Sequence, residues 1–588
     1  MKKLLAVSAA LMLTMSAARA ADAPAWVAES NRNAEVLLKV MAEFSPEDAG
    51  SLGVDGYDEQ VIDLGPKLSE RSRAALQQAI VEIKARCQKE TDAAVLEDCQ
   101  ILIDSAQRSE DTSELDDKLL LPYYDVPNIV FSGIRALLDP RVPKARQAAA
   151  LVRLRRYAGL MPGSTPIVDL AEARTQERFV DQGLIGPYRG EVEQNLSDAP
   201  RYIDGIEKLF ADSGLKGYEQ PLATLRQQLG TYNDWVRKTI LPRARSDHRL
   251  PPAIYADNLK QVGVDLDPDE LIHRAQLSFA EIQNEMRALA PLVAKEKGYK
   301  VTDYPSVIAE LKKDQVTGEA ILPLYRDTLK AIEDTIRRDH IVTLPKREAK
   351  IRLASEAESA QIPAPFMSPP RLIGNTGEYG EFVLPLKVPG KDGKADLKTD
   401  DFTFRAAAWT LTAHEARPGH ELQFAKMIEK GVSTARAVFA FNSVNAEGWA
   451  LYAEAIMKPT FPLDGQLIGL QFRLMRAARA FLDPMVNLGR ITPDQVDAFL
   501  QREVGLSPGM ARSETDRYVF RMPGQATAYF VGYQAMMGIR AETELALGDK
   551  FNQQRFHDFL LAQGLLPPKL LEKAVLEQFI PAELARKP

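Results

Sequence analysis

The sequence has few cysteines and histidines, and it lacks the features of several common functional classes. Its 588 residues include two cysteines and six histidines. No glycine-rich phosphate-binding loop precedes a helix and no Gly-x-Ser-x-Gly motif occurs, so nucleotide chemistry and serine-hydrolase chemistry have no support. The formal net charge is −7. Because there is no basic patch, we do not expect nucleic acid as a partner.

The sequence has no apolar run long enough to span a membrane, and its longest apolar stretch is at the N-terminus. Residues 1–3 are Met-Lys-Lys, an apolar stretch follows from Leu4 to Met15, and small residues lead to Ala20. This order is typical of a secretory signal peptide over residues 1–20. The alternative, a membrane anchor, needs about 20 apolar residues, and no nearby cysteine supports lipid attachment. We expect cleavage after Ala20 and a periplasmic or secreted protein with no membrane partner.

The two cysteines, Cys87 and Cys99, leave two alternatives open. In an oxidising compartment they could pair, but twelve residues along one straight helix would separate their Cα atoms by ~18 Å, too far for a disulfide. The segment 89–92 between them is typical of a helix end followed by an N-cap. A helical hairpin would therefore bring the cysteines together, and the sequence does not decide between pairing and free thiols.

Most of the chain is predicted to be helical, because apolar residues recur at helical spacing and prolines then interrupt the pattern. The clearest strand candidate is Tyr379 to Leu386, followed by a turn-rich segment at 389–393. We place a boundary near residues 345–370, with a helical scaffold lobe over 21–350 and a lobe that carries nearly all the chemistry over 351–588. The clearest helical segments are Ala74 to Cys87, Ala148 to Leu160, Leu271 to Leu292 and Tyr325 to Arg338, and the breakers are 241–242, 250–252 and 363–365.

Two histidines, His414 and His420, lie within seven residues of each other. The H-E-x-x-H zinc motif places its histidines at i and i+4, on one face of a helix. Here the second histidine is at i+6, about 240° around an ideal helix. A kink or bulge at Pro418 and Gly419 would return His420 to the side of His414. Spacing alone leaves open both a zinc site and a helix end with two unrelated histidines.

A helical segment further along the chain carries Glu447 and Glu454, seven residues apart and so on one face. Catalytic zinc takes three protein ligands and keeps one position open for water. We therefore predict a Zn²⁺ site formed by His414, His420 and Glu447. Glu415 is the predicted general base for the water. Glu454 is either a surface charge or the partner that orients a ligand imidazole.

The block His414-Glu415-x-x-Pro418-Gly419-His420 and the segment Glu447–Tyr452 resemble the bacterial domain-of-unknown-function family 885, whose members resemble helical zinc metallopeptidases. The resemblance implies a mostly helical, two-lobed zincin-like fold, as in thimet-type oligopeptidases and angiotensin-converting enzyme, with a deep channel and a small β element near it. Weaker matches follow in the expected order along most of the chain, at 45–53, 57–58, 366–370, 517–518, 523–529, 556–558 and 564–567.

Zinc peptidases usually need a donor for the oxyanion. Tyr518, Tyr529 and Gln525 are the candidates, and Tyr529 is the predicted one; the alternative is a core tyrosine with a satisfied hydroxyl. Gln525 lies four residues before Tyr529 and shares its helical face. We predict that Gln525, Tyr518 and Arg521 contact the substrate, and either Arg517 or Arg521 is a candidate to bind a peptide carboxylate. Of the remaining histidines, His557 is expected to be structural, and His248, His273 and His340 to be solvated.

The leading hypothesis is an exported zinc peptidase that acts on short peptides, with Glu415 activating water and Tyr529 stabilising the oxyanion. A zinc amidase or esterase with a non-peptide substrate is one alternative. A second alternative is a non-catalytic peptide-binding protein. The absence of a metal ligand or of the general base would support it, but all of these residues are present in the sequence. If the predicted strand Tyr379 to Leu386 is an exposed edge beside the metal, it would bind an extended peptide by β-addition.

Overall fold

The computed structural model describes residues 24–375, 377–386 and 400–587, which are mostly helical with one small sheet. The predicted helical class is confirmed. The predicted signal peptide over residues 1–20 and the predicted turn at 389–393 lie outside the described residues. Within those residues, no helix is both long and apolar enough to cross a membrane.

Helices form at all four segments predicted from periodicity, and the one predicted from Ala148 to Leu160 is shorter, Ala149–Tyr157. Capping side chains set several of their starts; Asp267, for example, accepts the backbone N–H groups of Asp269 and Glu270. The helices are α1 Ala25–Phe44, α2 Pro46–Leu52, α3 Leu68–Cys87, α4 Ala93–Leu119, α5 Val126–Leu138, α6 Lys144–Gln147, α7 Ala149–Tyr157, α8 Ile167–Glu177, α9 Arg189–Ser213, α10 Glu219–Trp235, α11 Pro252–Gln261, α12 Pro268–Lys297, α13 Tyr304–Leu311, α14 Ile321–Arg338 and α15 Glu356–Gln361.

The helices after the sheet carry the predicted site. Four continue into π-helical turns, which lie at Thr412–Ala416, Leu500–Val504, Arg517–Arg521 and Val575–Phe579, and a separate π-helical turn lies at Ala435–Phe439. The helices are α16 Arg405–Leu411, α17 His420–Lys430, α18 Ser443–Met457, α19 Leu463–Asn487, α20 Pro493–Phe499, α21 Pro508–Asp516, α22 Ala528–Leu547, α23 Gln553–Ala562, α24 Pro568–Ala574 and α25 Ile580–Ala585.

A helical hairpin joins the two cysteines. Helix α3 ends at Cys87, and Asp92 accepts the N–H groups of Ala94 and Val95 to start α4. The Cα atoms of Cys87 and Cys99 are then 6.5 Å apart and the two residues form a disulfide. The sequence left open whether these cysteines are paired or free, and in the structure they are paired.

Among the described residues, three large hydrophobic cores and one small cluster around Phe424 and Leu565 hold the helices together. One joins α11–α14 to α16 and α19–α21, and another lies among α5 and α7–α10. The third packs α1, α3 and α4 against α18 and α22–α25. Side chains from both sides of residue 350 share this third core, so the site helices rest on the N-terminal helices. The division into two lobes near residues 345–370 stays a prediction.

The sheet has three strands in the order β1-β3-β2, where β1 is Lys350–Leu353, β2 is Phe366–Ser368 and β3 is Glu381–Leu384. Strand β3 lies within the predicted segment, parallel to β1 and antiparallel to β2. The condition for β-addition, an exposed edge, is not met, because β3 is the central strand. Its backbone is paired on both sides and cannot receive a substrate strand by β-addition.

Candidate metal centre

The two histidines stand on either side of a break in the helical path. Helix α16 passes into the π-helical turn Thr412–Ala416, which carries His414 and Glu415, and α17 begins at His420. A Cβ atom on Gly419 would lie 1.9 Å from the carbonyl oxygen of His414, so only glycine fits there. The predicted bulge is confirmed. It brings the two imidazole centroids to 4.8 Å from each other.

Buried polar contacts fix this turn in place. The Arg417–Pro418 peptide bond is cis, and the Pro418 carbonyl accepts a hydrogen bond from Trp449 Nε1 at 2.9 Å. The Arg417 side chain is fully buried; its Nε donates to Glu421 at 2.8 Å, and its Nη1 donates to Glu333. Since a buried guanidinium is stable only when it is paired, these contacts hold the start of α17 against α14 and α18.

A close crossing of α18 and α22 positions two further side chains. A Cβ atom on Gly448 would lie 2.6 Å from the Cα atom of Gly532, so the two backbones touch at these glycines. Glu447 precedes the crossing on α18, and Tyr529 lies one turn before it on α22. The crossing therefore fixes the separation between the predicted third ligand and the predicted oxyanion donor.

The predicted ligands His414, His420 and Glu447 converge, with one candidate donor atom from each within 4.8 Å of the others. Glu447 Oε2 is 3.5 Å from His414 Nε2 and 3.3 Å from His420 Nε2. Tetrahedral coordination at ~2.1 Å puts neighbouring ligand atoms roughly 3.4 Å apart. Glu447 Oε2 is buried and has no hydrogen-bond partner in the part of the chain that the structure describes. These distances fit a zinc ion.

Carboxylates dominate the electrostatics around the two imidazoles. Burial alone would lower the pKa of His414, but Glu415, Glu447 and Glu454 together raise it to about 9. Burial would raise the pKa of Glu447, yet His414 and His420 hold it well below its ordinary value. Burial raises the pKa of Glu415. A divalent cation would neutralise this accumulation of buried negative charge.

Glu454 contacts His414 at Nδ1, the ring nitrogen that is not the predicted ligand atom. It is buried, and its Oε1 lies 2.7 Å from His414 Nδ1, while Thr410 Oγ1 and Arg476 Nη2 donate to its carboxylate at 2.9 and 3.3 Å. The alternative that Glu454 is a surface charge is therefore wrong. With Nδ1 donating to Glu454, Nε2 of His414 is left to face Glu447 and His420.

Tyr529 and Gln525 both contact Arg517, as expected from their shared face. Arg517 Nη2 donates to the hydroxyl of Tyr529 at 3.0 Å and also to Gln525 Oε1. The Tyr529 ring stacks on that of His414, with centroids 6.3 Å apart. Among the described residues, no acceptor takes the phenolic proton, so it is free to be donated to a substrate oxygen.

Comparison with known proteins places the chain in a family. A family model described as "Bacterial protein of unknown function (DUF885)" matches residues 46–575. The chain belongs to this family. Its fold is similar to that of two solved structures. One is "the putative lipoprotein from Colwellia psychrerythraea", with a TM-score of 0.76 and 18% identity over 94% of this chain and 99% of that chain.

The second solved structure is "a putative lipoprotein of unknown function from Shewanella oneidensis", with a TM-score of 0.71 and 18% identity over 94% of this chain and 100% of that chain. No protein with a curated description matches the DUF885 chain. At this level of identity, the two structures establish the fold alone.

Two predicted substrate contacts do not join the site in this DUF885 protein. Tyr518 is fully buried and its hydroxyl donates to Glu514 at 2.8 Å, so it does not face a substrate. Arg521 lies near Asp198 of α9, where its charge opposes the rise that burial causes in the pKa of that carboxyl. The described contacts therefore place both residues with structural partners rather than with the histidines.

Sequence reasoning missed an ion-pair cluster beside Tyr529. Arg479 Nε and Nη2 donate to Glu514 at 2.6 and 2.7 Å, and Arg479 Cζ lies 4.5 Å from the Tyr529 ring centroid. Arg476 is the neighbour of Glu454. A sequence signal existed: Arg473, Arg476 and Arg479 recur every third residue in a segment that is otherwise strongly apolar. Buried arginines on such a helix are rare unless they are paired.

The other histidines of this DUF885 protein lie apart from the candidate centre. His557 is fully buried, and its ring nitrogens contact the Tyr452 hydroxyl and the Ile341 carbonyl, each at 2.7 Å. The expected structural role fits these contacts. His273 and His340 are exposed, as predicted. His248 is half-buried and its Nε2 lies 3.1 Å from the Val486 carbonyl oxygen, so the expectation that it is solvated is wrong.

A cavity of about 1150 Å³ lies between α4, α8, α9 and the chain segment 519–523. Tyr123, Glu191 and Arg245 are among its lining residues, and the three predicted ligands are not. Val519 and Phe520 of the π-helical turn Arg517–Arg521 also line it, whereas Arg517 and Tyr529 do not. We assign the chemistry to the buried histidines on their geometry and not to the larger empty space.

Proposed function

We propose that this protein is an exported, zinc-dependent peptidase that hydrolyses short peptides. The observation that carries the proposal is the convergence of His414, His420 and Glu447, with Glu415 Oε1 3.9 Å from His414 Nε2. Three protein ligands leave a fourth tetrahedral position for water or substrate, the arrangement of catalytic zinc sites. We also propose that the helical fold is of the two-lobed zincin-like type.

Export is the second part of the proposal. It rests on the signal-peptide pattern of residues 1–20, and periplasmic or secreted locations both agree with it. The names of the two similar solved structures include the word lipoprotein, a class of exported proteins. The disulfide between Cys87 and Cys99 also supports an oxidising compartment, because thiols stay reduced in most cytosols.

Zinc is the metal we propose for the centre. Two imidazoles and a carboxylate suit iron as well, but hydrolysis needs no change of oxidation state. When bound, the ion would polarise a substrate carbonyl and lower the pKa of water. Glu454, by accepting from His414 Nδ1, fixes the tautomer that presents Nε2 to the ion.

Two side chains would handle protons and charge. Glu415 would accept a proton as the water oxygen bonds to the peptide carbonyl carbon, and it would pass that proton to the nitrogen as the C–N bond breaks. Tyr529 would donate a hydrogen bond to the carbonyl oxygen as negative charge develops there. Arg517 orients the phenol by donating to its oxygen.

Metal analysis combined with one substitution tests the proposal. The purified protein is expected to carry about one zinc per chain. Glu415→Gln keeps the shape of the side chain and removes the base, so it should retain the zinc and lower the rate of peptide hydrolysis by ~10²–10⁴. Glu429→Gln, an exposed position on α17, is the matched control and should behave as wild type.

Each outcome has a definite meaning. A protein that holds no metal, and takes none up when zinc is added, contradicts the proposed centre. A Glu415→Gln variant near wild-type activity excludes Glu415 as the base. A variant that loses zinc makes Glu415 a ligand or the support of a ligand.

A further inference from the structure

Three arginines surround the ring of Tyr529; Arg476 and Arg479 are buried, and Arg517 is partly exposed. The guanidinium carbons of Arg479, Arg517 and Arg476 lie 4.5, 5.3 and 6.0 Å from the ring centroid. The same ring also stacks on His414, so Tyr529 is in contact with both the cluster and the first predicted metal ligand. We call these three residues the arginine cluster.

The arginine cluster carries more positive charge than its acidic neighbours balance. Glu454 pairs with Arg476 at 3.3 Å, and Glu514 pairs with both Arg479 at 2.6 Å and Arg517 at 3.6 Å. Three guanidiniums thus share two carboxylates. The charge of Arg517 opposes the rise that burial causes in the pKa of Asp483, but in the described part of the chain this acid forms no ion pair with the cluster; its hydrogen bonds come from Tyr255, Asn487 and the backbone of Gly524.

Some donors of the cluster are unused. Arg479 Nη1 and Arg476 Nε are buried and have no hydrogen-bond partner in the described ranges of the chain. Both side chains are at most 5% exposed, whereas that of Arg517 is 20% exposed. Leaving a charged donor buried and unpaired is costly. An anion that enters during function would satisfy these donors.

We propose that Arg479 and Arg517 bind the free C-terminal carboxylate of the peptide substrate, so that the enzyme releases one or two residues from the C-terminus. This inference rests on the proposed peptidase function. A guanidinium presents a planar fork of donors that matches a carboxylate. One or two extended residues span ~3.5–7 Å, and the centroid distances place Arg479 Cζ at most about 11 Å from the His414 ring. The metal–ligand bond at one end and the ion-pair contact at the other add about 5 Å to the reach of the peptide.

Matched peptides test the inference. Three peptides of otherwise identical sequence are assayed. The first has a free C-terminal carboxylate and the second a C-terminal amide. The third is also an amide, and its last residue is replaced by glutamate. The free acid should be cleaved with a kcat/KM about 10- to 100-fold above that of the simple amide, the value of a charge-assisted pair. A high rate for the glutamate amide would place a side-chain carboxylate in the cluster instead and overturn the C-terminal assignment.

Arg517→Gln is the variant of choice, because it leaves the Arg479–Glu514 pair intact. It should lower both rates through the lost contact to Tyr529, and the ratio of acid to amide rates should fall towards one. Arg473→Gln, on the same helix as Arg479 but packed on Tyr533, should keep the wild-type ratio. Equal wild-type rates for acid and amide, or an unchanged ratio in Arg517→Gln, would refute the inference while leaving the peptidase proposal in place.

A binding measurement separates the two proposals. The dipeptide Gly-Phe should raise the melting temperature of the metal-free protein, its C-terminal amide should not, and Arg517→Gln should abolish the difference. If no peptide is cleaved by the zinc-loaded protein, the peptidase proposal fails, yet this difference would still support a carboxylate site. Equal shifts with the acid and the amide would exclude one.

Discussion

His414 and His557 are both buried, but their surroundings move their pKa values in opposite directions. Burial lowers the pKa of His557 to about 4, and the hydrogen bond to the Ile341 carbonyl opposes this shift only in part. At His414 three glutamates override the effect of burial and raise the pKa to about 9. Desolvation alone therefore produces a neutral structural histidine, and only converging carboxylates make a site for a cation.

The two histidines also differ in their tyrosines. Tyr452 donates to His557 Nε2 and accepts from Arg540 at 3.0 Å, so its hydroxyl is fully used. Tyr529 stacks on His414 and accepts from Arg517, which leaves its proton free. The polar groups around His557 are satisfied, as in a structural site, and the unsatisfied ones around His414 are the reason why we propose a function there.

The largest expected effect is on metal binding. His414→Ala removes one of the three ligands. Loss of a residue that only hydrogen-bonds to a ligand weakens metal affinity by up to ~100-fold, so loss of the ligand itself should weaken zinc affinity by more than that. His557→Ala should keep the zinc affinity of the folded protein and lower its melting temperature. Competition with a chelator and a thermal melt on each variant measure both. A His557→Ala variant that also loses zinc would remove the distinction between the two regions.

The second prediction compares the tyrosines. Tyr529→Phe should retain zinc and a similar KM but lower kcat by about 100-fold or more, because its donor acts only on the developing oxyanion. Tyr452→Phe is the matched control. It should lower the melting temperature by leaving polar partners unsatisfied and leave kcat of the folded fraction unchanged. If Tyr529→Phe loses only stability, Tyr529 is a core residue.

The sequence predicts the centre better than its surroundings, because the ligands lie in short motifs. His414, Glu415 and His420 are neighbours in the chain, and Glu447 stands in one specific segment. The helical class follows from periodicity. In contrast, Arg479 meets Glu514 only when α19 packs on α21, and no local pattern encodes that pairing. The central position of β3 likewise depends on β1 and β2, which precede it in the chain by up to about 30 residues.

The smallest expected effect is the pH dependence of stability from His557. Its folded pKa of about 4 lies below the ordinary value of 6.5, so the unfolded chain binds the proton first as the pH falls. The stability from burying the neutral ring is complete above pH 6.5 and is lost as the pH falls towards 4. Between pH 6.5 and 5.5 this loss amounts to about 1 kcal/mol.

The variant His557→Gln cannot titrate at this position and should lack this loss of stability. Urea midpoints of the metal-free wild type and variant should therefore converge on acidification, whereas the exposed His273→Gln control should remain parallel to wild type. Parallel curves for His557→Gln would show that His557 is not held neutral by burial.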